Sequence, residues 1–147
     1  MMKKIPLTKL NSEDITLVMS AREATTLSYA PYSNFHVGAA VLLNNGEIVK
    51  GGNQENVSYP VGICAERSTL ATAQNLFPNV PIKALALAAT NINGEYTNDI
   101  VAPCGMCRQA IMECEKRYGQ DVRIIMSSIK EVVIVNSIKD LLPLAFS

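Results

Sequence analysis

Nothing in these 147 residues approaches the length of a membrane span, and the charged opening Met1-Met2-Lys3-Lys4 has no apolar stretch behind it such as an export signal needs. A soluble, cytoplasmic protein with no membrane partner is expected. Net charge is missing as well, because Lys plus Arg and Asp plus Glu number 13 each. Without a basic excess there is no general attraction to phosphate, which normally dominates affinity for nucleic acid, so no nucleic-acid partner is expected either. Cysteine is scarce, with four residues, and histidine scarcer, with one. Four thiols are too few for a disulfide framework in a chain of this size, and a Cys-x-x-Cys pair inside a cell points to metal or redox chemistry. Internal repeats and low-complexity tracts are absent too, which leaves a single domain, 1–147, long enough to bury a core.

What is present is an alternation of helical and extended segments. Asn11 or Ser12 caps a first helix with Glu13 and Asp14 in its first turn, and this helix is expected to end near Ala30-Pro31. Residues 37–43 read as a buried strand, Asn44-Asn45-Gly46 as a hairpin turn and 47–50 as the returning strand. A loop over 51–63 leads to a helix over 65–75, then a strand over 84–90. Pro103 introduces a helix reaching about Tyr118, a position where its missing N–H costs nothing. The last two strands, 122–126 and 132–135, are joined by a link too short for a parallel crossover, so they pair antiparallel. The expected fold is α/β: a five-stranded mixed sheet with helices on both faces and an antiparallel last pair.

Two short motifs carry the chemistry. Cys64-Ala65-Glu66 and Pro103-Cys104-Gly105-Met106-Cys107 together provide three thiols and a carboxylate. A structural zinc is normally closed by four protein ligands, whereas a catalytic zinc keeps three and leaves a position for water or substrate. Three cysteines therefore read as an open site, unless Cys114, His36 or a distant carboxylate supplies a fourth ligand. Cys114 lies about 10 Å further along the helix from Cys107 and reads as a small buried hydrophobe. His36 opens an apolar run and reads as a strand-edge residue. Both motifs fall at expected helix starts, where the dipole favours thiolate, and Cys104 and Cys107 share one side of a first turn. A thiol-disulfide oxidoreductase is an alternative, but it leaves Cys64 and Glu66 without a role and lacks the usual aromatic before the first cysteine. A zinc-stabilised binding module is another, and needs a fourth ligand.

Taken in order, Tyr29-Ala30-Pro31-Tyr32-Ser33-Asn34-Phe35, Val37-Gly38-Ala39-Ala40, Gly52-Asn53-Gln54-Glu55-Asn56, Cys64-Ala65-Glu66-Arg67 and Pro103-Cys104-Gly105-Met106-Cys107-Arg108-Gln109 resemble the small homotetrameric cytidine deaminases. The likeness spans 20–146. It implies a three-layer deaminase fold and hydrolysis of cytidine and deoxycytidine to uridine and deoxyuridine with release of ammonia, a step of pyrimidine salvage. It also implies one zinc per subunit, held by Cys64, Cys104 and Cys107 with water in the fourth position, and Glu66 as the proton carrier between water, ring nitrogen and departing ammonia. Arg67 offsets the negative charge that three thiolates place around a dication; Arg108 is a second candidate for this. Asn53 and Glu55 bind the 3′-hydroxyl of the sugar, and the Ala65 backbone meets the base. Phe35 and Phe146 wall the pyrimidine, and Tyr59 reaches the sugar, within its own subunit or from a neighbouring one, in a homotetramer whose active sites lie near subunit interfaces. Blasticidin-type deaminases share the zinc motifs and stand as the alternative within the superfamily. Ala102, where serine is common, and Gly62-Ile63 are the mild departures.

Overall fold

The computed structural model describes residues 2–147, and Met1, part of the charged opening, lies outside them. The chain runs β1 (Lys3–Pro6), α1 (Ser12–Ala24), β2 (His36–Leu43), β3 (Ile48–Gly52), α2 (Ala65–Leu76), β4 (Ile82–Thr90), α3 (Gly105–Tyr118), β5 (Arg123–Ser127) and β6 (Glu131–Val135). The sheet has six strands in the order β1-β6-β5-β4-β2-β3, not five. The sixth, β1, escapes a periodicity reading because it is four residues long, carries two lysines and ends on proline; it is held by antiparallel pairing with β6, near the far end of the chain. The β5 and β6 pair is antiparallel, as the short link requires. Only β4 and β5 run parallel, and α3 lies in the crossover between them.

Alternation along the strands sorts the core into two layers. Ala39, Val41 and Leu43 of β2 face the layer of α2 and α3, where Leu70, Ala73, Ile111 and Cys114 pack. Ala40 and Leu42 face α1, against Leu17, Val18 and Ala21. Helices therefore cover both faces, as expected. Asn11 caps α1 by accepting from the Asp14 N–H at 2.8 Å. The helix stops at Ala24, well before Ala30, because the Thr25 and Thr26 hydroxyls turn back to the carbonyls of Arg22 and Glu23, and the chain tightens into a 3₁₀ turn at Thr25–Leu27.

Beyond that turn the backbone lies directly on the sheet. A Cβ at Gly38 would stand 2.1 Å from the Ala21 carbonyl oxygen, and one at Gly52 would stand 2.6 Å from the Ser28 nitrogen. Gly38 and Gly52 are opposite each other in the β2 and β3 register, so the two bare positions lie side by side, Gly38 under the end of α1 at residues 21–25 and Gly52 under residues 27–28. The α3 helix is anchored at its other end by Glu115. Its buried carboxylate accepts from the N–H groups of Val122 and Ile138 and from the Ser137 hydroxyl. Among the described residues no helix is long and apolar enough to cross a membrane.

Candidate active site

Cys64 and Cys104 are the N-cap residues of α2 and α3, and Cys107 joins them from the first turn of α3. The three Sγ atoms lie within 4.8 Å of one another, with Cys64 and Cys104 at 4.0 Å. Sulfurs bound tetrahedrally to zinc at about 2.3 Å are roughly 3.8 Å apart, so the donor set fits that ion. Among the described residues no other group of three or more His, Cys, Asp or Glu gathers in this way. Cys114 sits in the apolar core and His36 faces Ser28, so neither joins the cluster.

Glu66, in the first turn of α2, is 5% exposed. Burial pushes its carboxyl above the ordinary range, against hydrogen bonds from its own backbone and from Cys107. Burial also raises the Cys64 thiol and, far more, that of Cys107, where the nearby Glu66 charge adds to the effect. Burial pushes Cys104 up too, but hydrogen bonds from Cys107, Cys64 and Met106 outweigh it and hold this thiol low. Helix N-termini alone thus favour thiolate only at Cys104. Crowded thiols beside a carboxylate resist ionisation together, and a dication among them reverses that preference.

A cavity of about 620 Å³ opens on the cluster and includes Asn53, Glu55, Tyr59, Cys64, Arg67 and Cys104 in its lining. The strip 53–55 is locked on both sides by main-chain bonds. Tyr29 N–H donates to the Asn53 carbonyl and Glu55 N–H to the Tyr29 carbonyl, both at 2.8 Å; Gln54 and Ile63 exchange two bonds at 2.9 Å. This second bridge draws Cys64 up beside the strip. The Gln54 amide is taken up by the Leu27 carbonyl, while residues 53–55 all line the cavity.

The hydrogen bonds of the Asn53 and Glu55 side chains can be counted. Asn53 Oδ1 accepts from Ser28 Oγ at 2.5 Å and from the Val37 N–H at 2.9 Å, while Nδ2 donates one proton to the Phe35 carbonyl at 3.0 Å. One N–H remains. Glu55 Oε1 accepts from the N–H groups of Tyr32 and Ser33, and Oε2 accepts from the Ser33 hydroxyl with lone-pair capacity to spare. These two side chains thus offer one donor and one acceptor, the pair that a single hydroxyl group satisfies.

The Ser33 hydroxyl, followed by the Ser33 and Tyr32 N–H groups and the charge of His36, holds the Glu55 carboxyl below its ordinary range. A depressed folded value means that the contribution to stability is present above the unfolded pKa, about 4.3, and is lost as pH falls through the folded value. Subtracting the pH dependence of Tm for Glu55→Gln from that of the parent should give a difference that is level above about pH 5 and shrinks toward pH 3. A difference independent of pH would remove this account.

Other expected residues are placed differently. Phe35 lines a separate hollow of about 520 Å³ with residues of 91–102. Phe146 is 88% exposed, its carbonyl accepting from Gln109 Nε2 at 2.8 Å. Ala65, the first residue of α2, is fully buried beside the thiols. Arg67 lines the cavity, but its guanidinium donates to the Met106 sulfur at 3.2 Å, and Arg108 is taken up by the carbonyls of Pro103 and Leu141. Tyr32, Ser33 and Met106 also line the cavity; the signal for them is their place inside the segments Tyr29–Phe35 and Pro103–Gln109.

Residues 11–118 match the sequence profile of the cytidine and deoxycytidylate deaminase zinc-binding region. The chain belongs to this family. Over 131 residues this deaminase is 34% identical to a cytidine deaminase of Halalkalibacterium halodurans, covering 89% of the chain and 92% of the relative. It is 36% identical to one from Sporosarcina psychrophila, with 89% of each covered. The crystal structure of a cytidine deaminase from Burkholderia pseudomallei superposes with a TM-score of 0.78 at 35% identity, covering 93% of this chain and all of that one. As a hydrolytic deaminase the protein is an enzyme, which excludes both the disulfide oxidoreductase and the non-catalytic binding module.

Proposed function

We propose that the enzyme deaminates cytidine and deoxycytidine to uridine and deoxyuridine, with one zinc per subunit held by Cys64, Cys104 and Cys107. The observation that carries this is an open three-thiol set beside buried Glu66, sharing a cavity with a donor and acceptor matched to a hydroxyl. Zinc, when bound, supplies a Lewis acid that lowers the pKa of water. Glu66 takes the proton of the attacking water, passes it to the pyrimidine ring nitrogen as C4 is attacked, then takes the second proton from the new C4 hydroxyl, which becomes the carbonyl, and gives it to the leaving ammonia. Its burial keeps bulk water from competing for that proton. The remaining Asn53 N–H and the Glu55 carboxylate hold the 3′-hydroxyl, and the Ala65 backbone meets the base.

The deciding experiment measures ammonia and uridine formed from cytidine by the purified, metal-analysed protein. A polar pair built for a hydroxyl rejects analogues that lack it, so 2′,3′-dideoxycytidine should lose about 10²-fold or more in kcat/KM while deoxycytidine stays within about tenfold of cytidine. Metal without ammonia release would sink the reading, and equal use of the dideoxy analogue would sink its sugar contacts.

Arg67 lines the cavity beside the cluster, while Arg108 is engaged by carbonyls, and exchanging Met106 for a thiolate acceptor would let Arg67 damp charge donation from sulfur. Arg67→Ala should lower kcat by about tenfold or more with little loss of metal; unchanged kcat at saturating cytidine would refute it. The exposed apolar tail residues Leu144 and Phe146, with Tyr59 at 76% exposure, support a homotetramer in which neighbouring subunits complete each pocket. In that assembly Phe35 and Phe146 wall the base and Tyr59 reaches the sugar; sedimentation as a monomer would oppose it. The enzyme's place is cytoplasmic pyrimidine salvage.

A further inference from the structure

The single histidine of the chain helps to hold the Glu55 carboxyl low, and its ring is tied separately to the other residue of the sugar end. His36 is the half-buried first residue of β2, paired in register with Thr90 of β4. Its Nδ1 lies 3.1 Å from Ser28 Oγ, and that oxygen lies 2.5 Å from Asn53 Oδ1. Two groups with no freedom of role fix the direction of every proton in this series. The Val37 N–H can only donate, and it meets Oδ1; the Phe35 carbonyl can only accept, and it meets Nδ2. The Asn53 amide therefore has one orientation. Because Oδ1 is purely an acceptor, the Ser28 hydroxyl gives it its one proton and is left to accept from His36. The imidazole thus carries a proton on Nδ1.

We infer that His36 is a positioning residue for the sugar end of the site, holding Ser28 so that the amide plane of Asn53 aims its remaining N–H at the substrate hydroxyl. This rests on the reading of Asn53 as the sugar contact. Without the imidazole the Ser28 hydroxyl regains its rotation, and the amide keeps only its two backbone anchors. The loss falls on binding of a nucleoside that has the hydroxyl, not on proton transfer at Glu66.

Kinetics and one spectrum on the zinc-loaded enzyme test this. His36→Ala should raise KM for cytidine about three- to tenfold, the worth of one hydrogen bond, with kcat changed less than about twofold, and should leave kcat/KM for 2′,3′-dideoxycytidine within about twofold. His36→Asn, whose side-chain N–H takes the place of Nδ1–H, should restore KM. With one histidine, a long-range ¹H–¹⁵N spectrum at about pH 8.5, where an ordinary imidazole is neutral, reads the tautomer directly: Nδ1–H in the parent, shifting toward Nε2–H in Ser28→Ala. An Nε2–H parent, equal KM for His36→Ala and His36→Asn, or equal losses on both nucleosides would overturn the inference. Asn53→Ala separates the two layers of the argument. If it penalises both nucleosides alike, the sugar reading falls and takes this role with it; if it discriminates while His36→Ala does not, the positioning role alone falls.

Discussion

Replacing Glu66 by glutamine should abolish turnover, by about 10³-fold or more in kcat, while metal content stays at the parental level. The substitution preserves shape and a hydrogen-bonding end, so the 5% exposed site beside the thiols has no cavity to collapse and no new clash. What it removes is the ability to take up and release a proton between water, ring nitrogen and ammonia. The three sulfurs lie within 4.8 Å of one another, and in the proposed site they hold the ion without the carboxylate. Removing Cys107 instead should lose metal and activity together. Metal analysis beside single-turnover assays distinguishes the two outcomes. Residual activity of Glu66→Gln within about tenfold of the parent would mean that the proton travels by another route.

The second large effect is on stability. Gly38→Ala should cost about 3 kcal/mol or more, a large share of the roughly 5–15 kcal/mol that holds a domain together. The added carbon meets backbone on three counts: the Ala21 carbonyl oxygen at 2.1 Å, the Thr25 nitrogen at 2.5 Å and the Ala24 carbonyl carbon at 2.8 Å. None of these can rotate aside. Relief requires lifting the end of α1 from the sheet, which also carries away residues 27–28 and with them the Ser28 contact to Asn53. Gly94→Ala is the control, since its φ of +75° strains an alanine in open space and costs about 1 kcal/mol. Chemical denaturation of both should separate them; equal midpoints would refute the steric account.

The gathering of the three thiols was legible because its parts are local. Two cysteines at helical spacing need only a helix start, and Pro103 marks one; Cys64 and Glu66 need only the next helix start. The donor and acceptor strip was legible only as a motif. What locks it, main-chain bonds from residues 29 and 63, joins segments that no local pattern connects. Ser28 carries no signal of its own, and Gly38 and Gly52 read as ordinary strand glycines until the chain crossing above them is known. Arg67 shows the limit for a long side chain: its neighbour in sequence suggests the thiols, while its guanidinium sits on Met106. Phe35 is one residue from strand β2, and its position there places it in the hollow beside residues 91–102.

Strand β1, unseen in the sequence, changes what the sheet shows to other molecules. β6 carries Val132, Val133, Ile134 and Val135 in unbroken succession, and a run of high β propensity without charge or proline is the composition from which intermolecular cross-β stacks are built. β1 lies along its otherwise open edge, pairing Lys3 with Ile134 through to Pro6 with Glu131. The edge left to solvent then bears two lysines and a proline that has no N–H to offer. A chain without residues 1–6 would keep every group of the proposed site and leave the β6 edge without its partner.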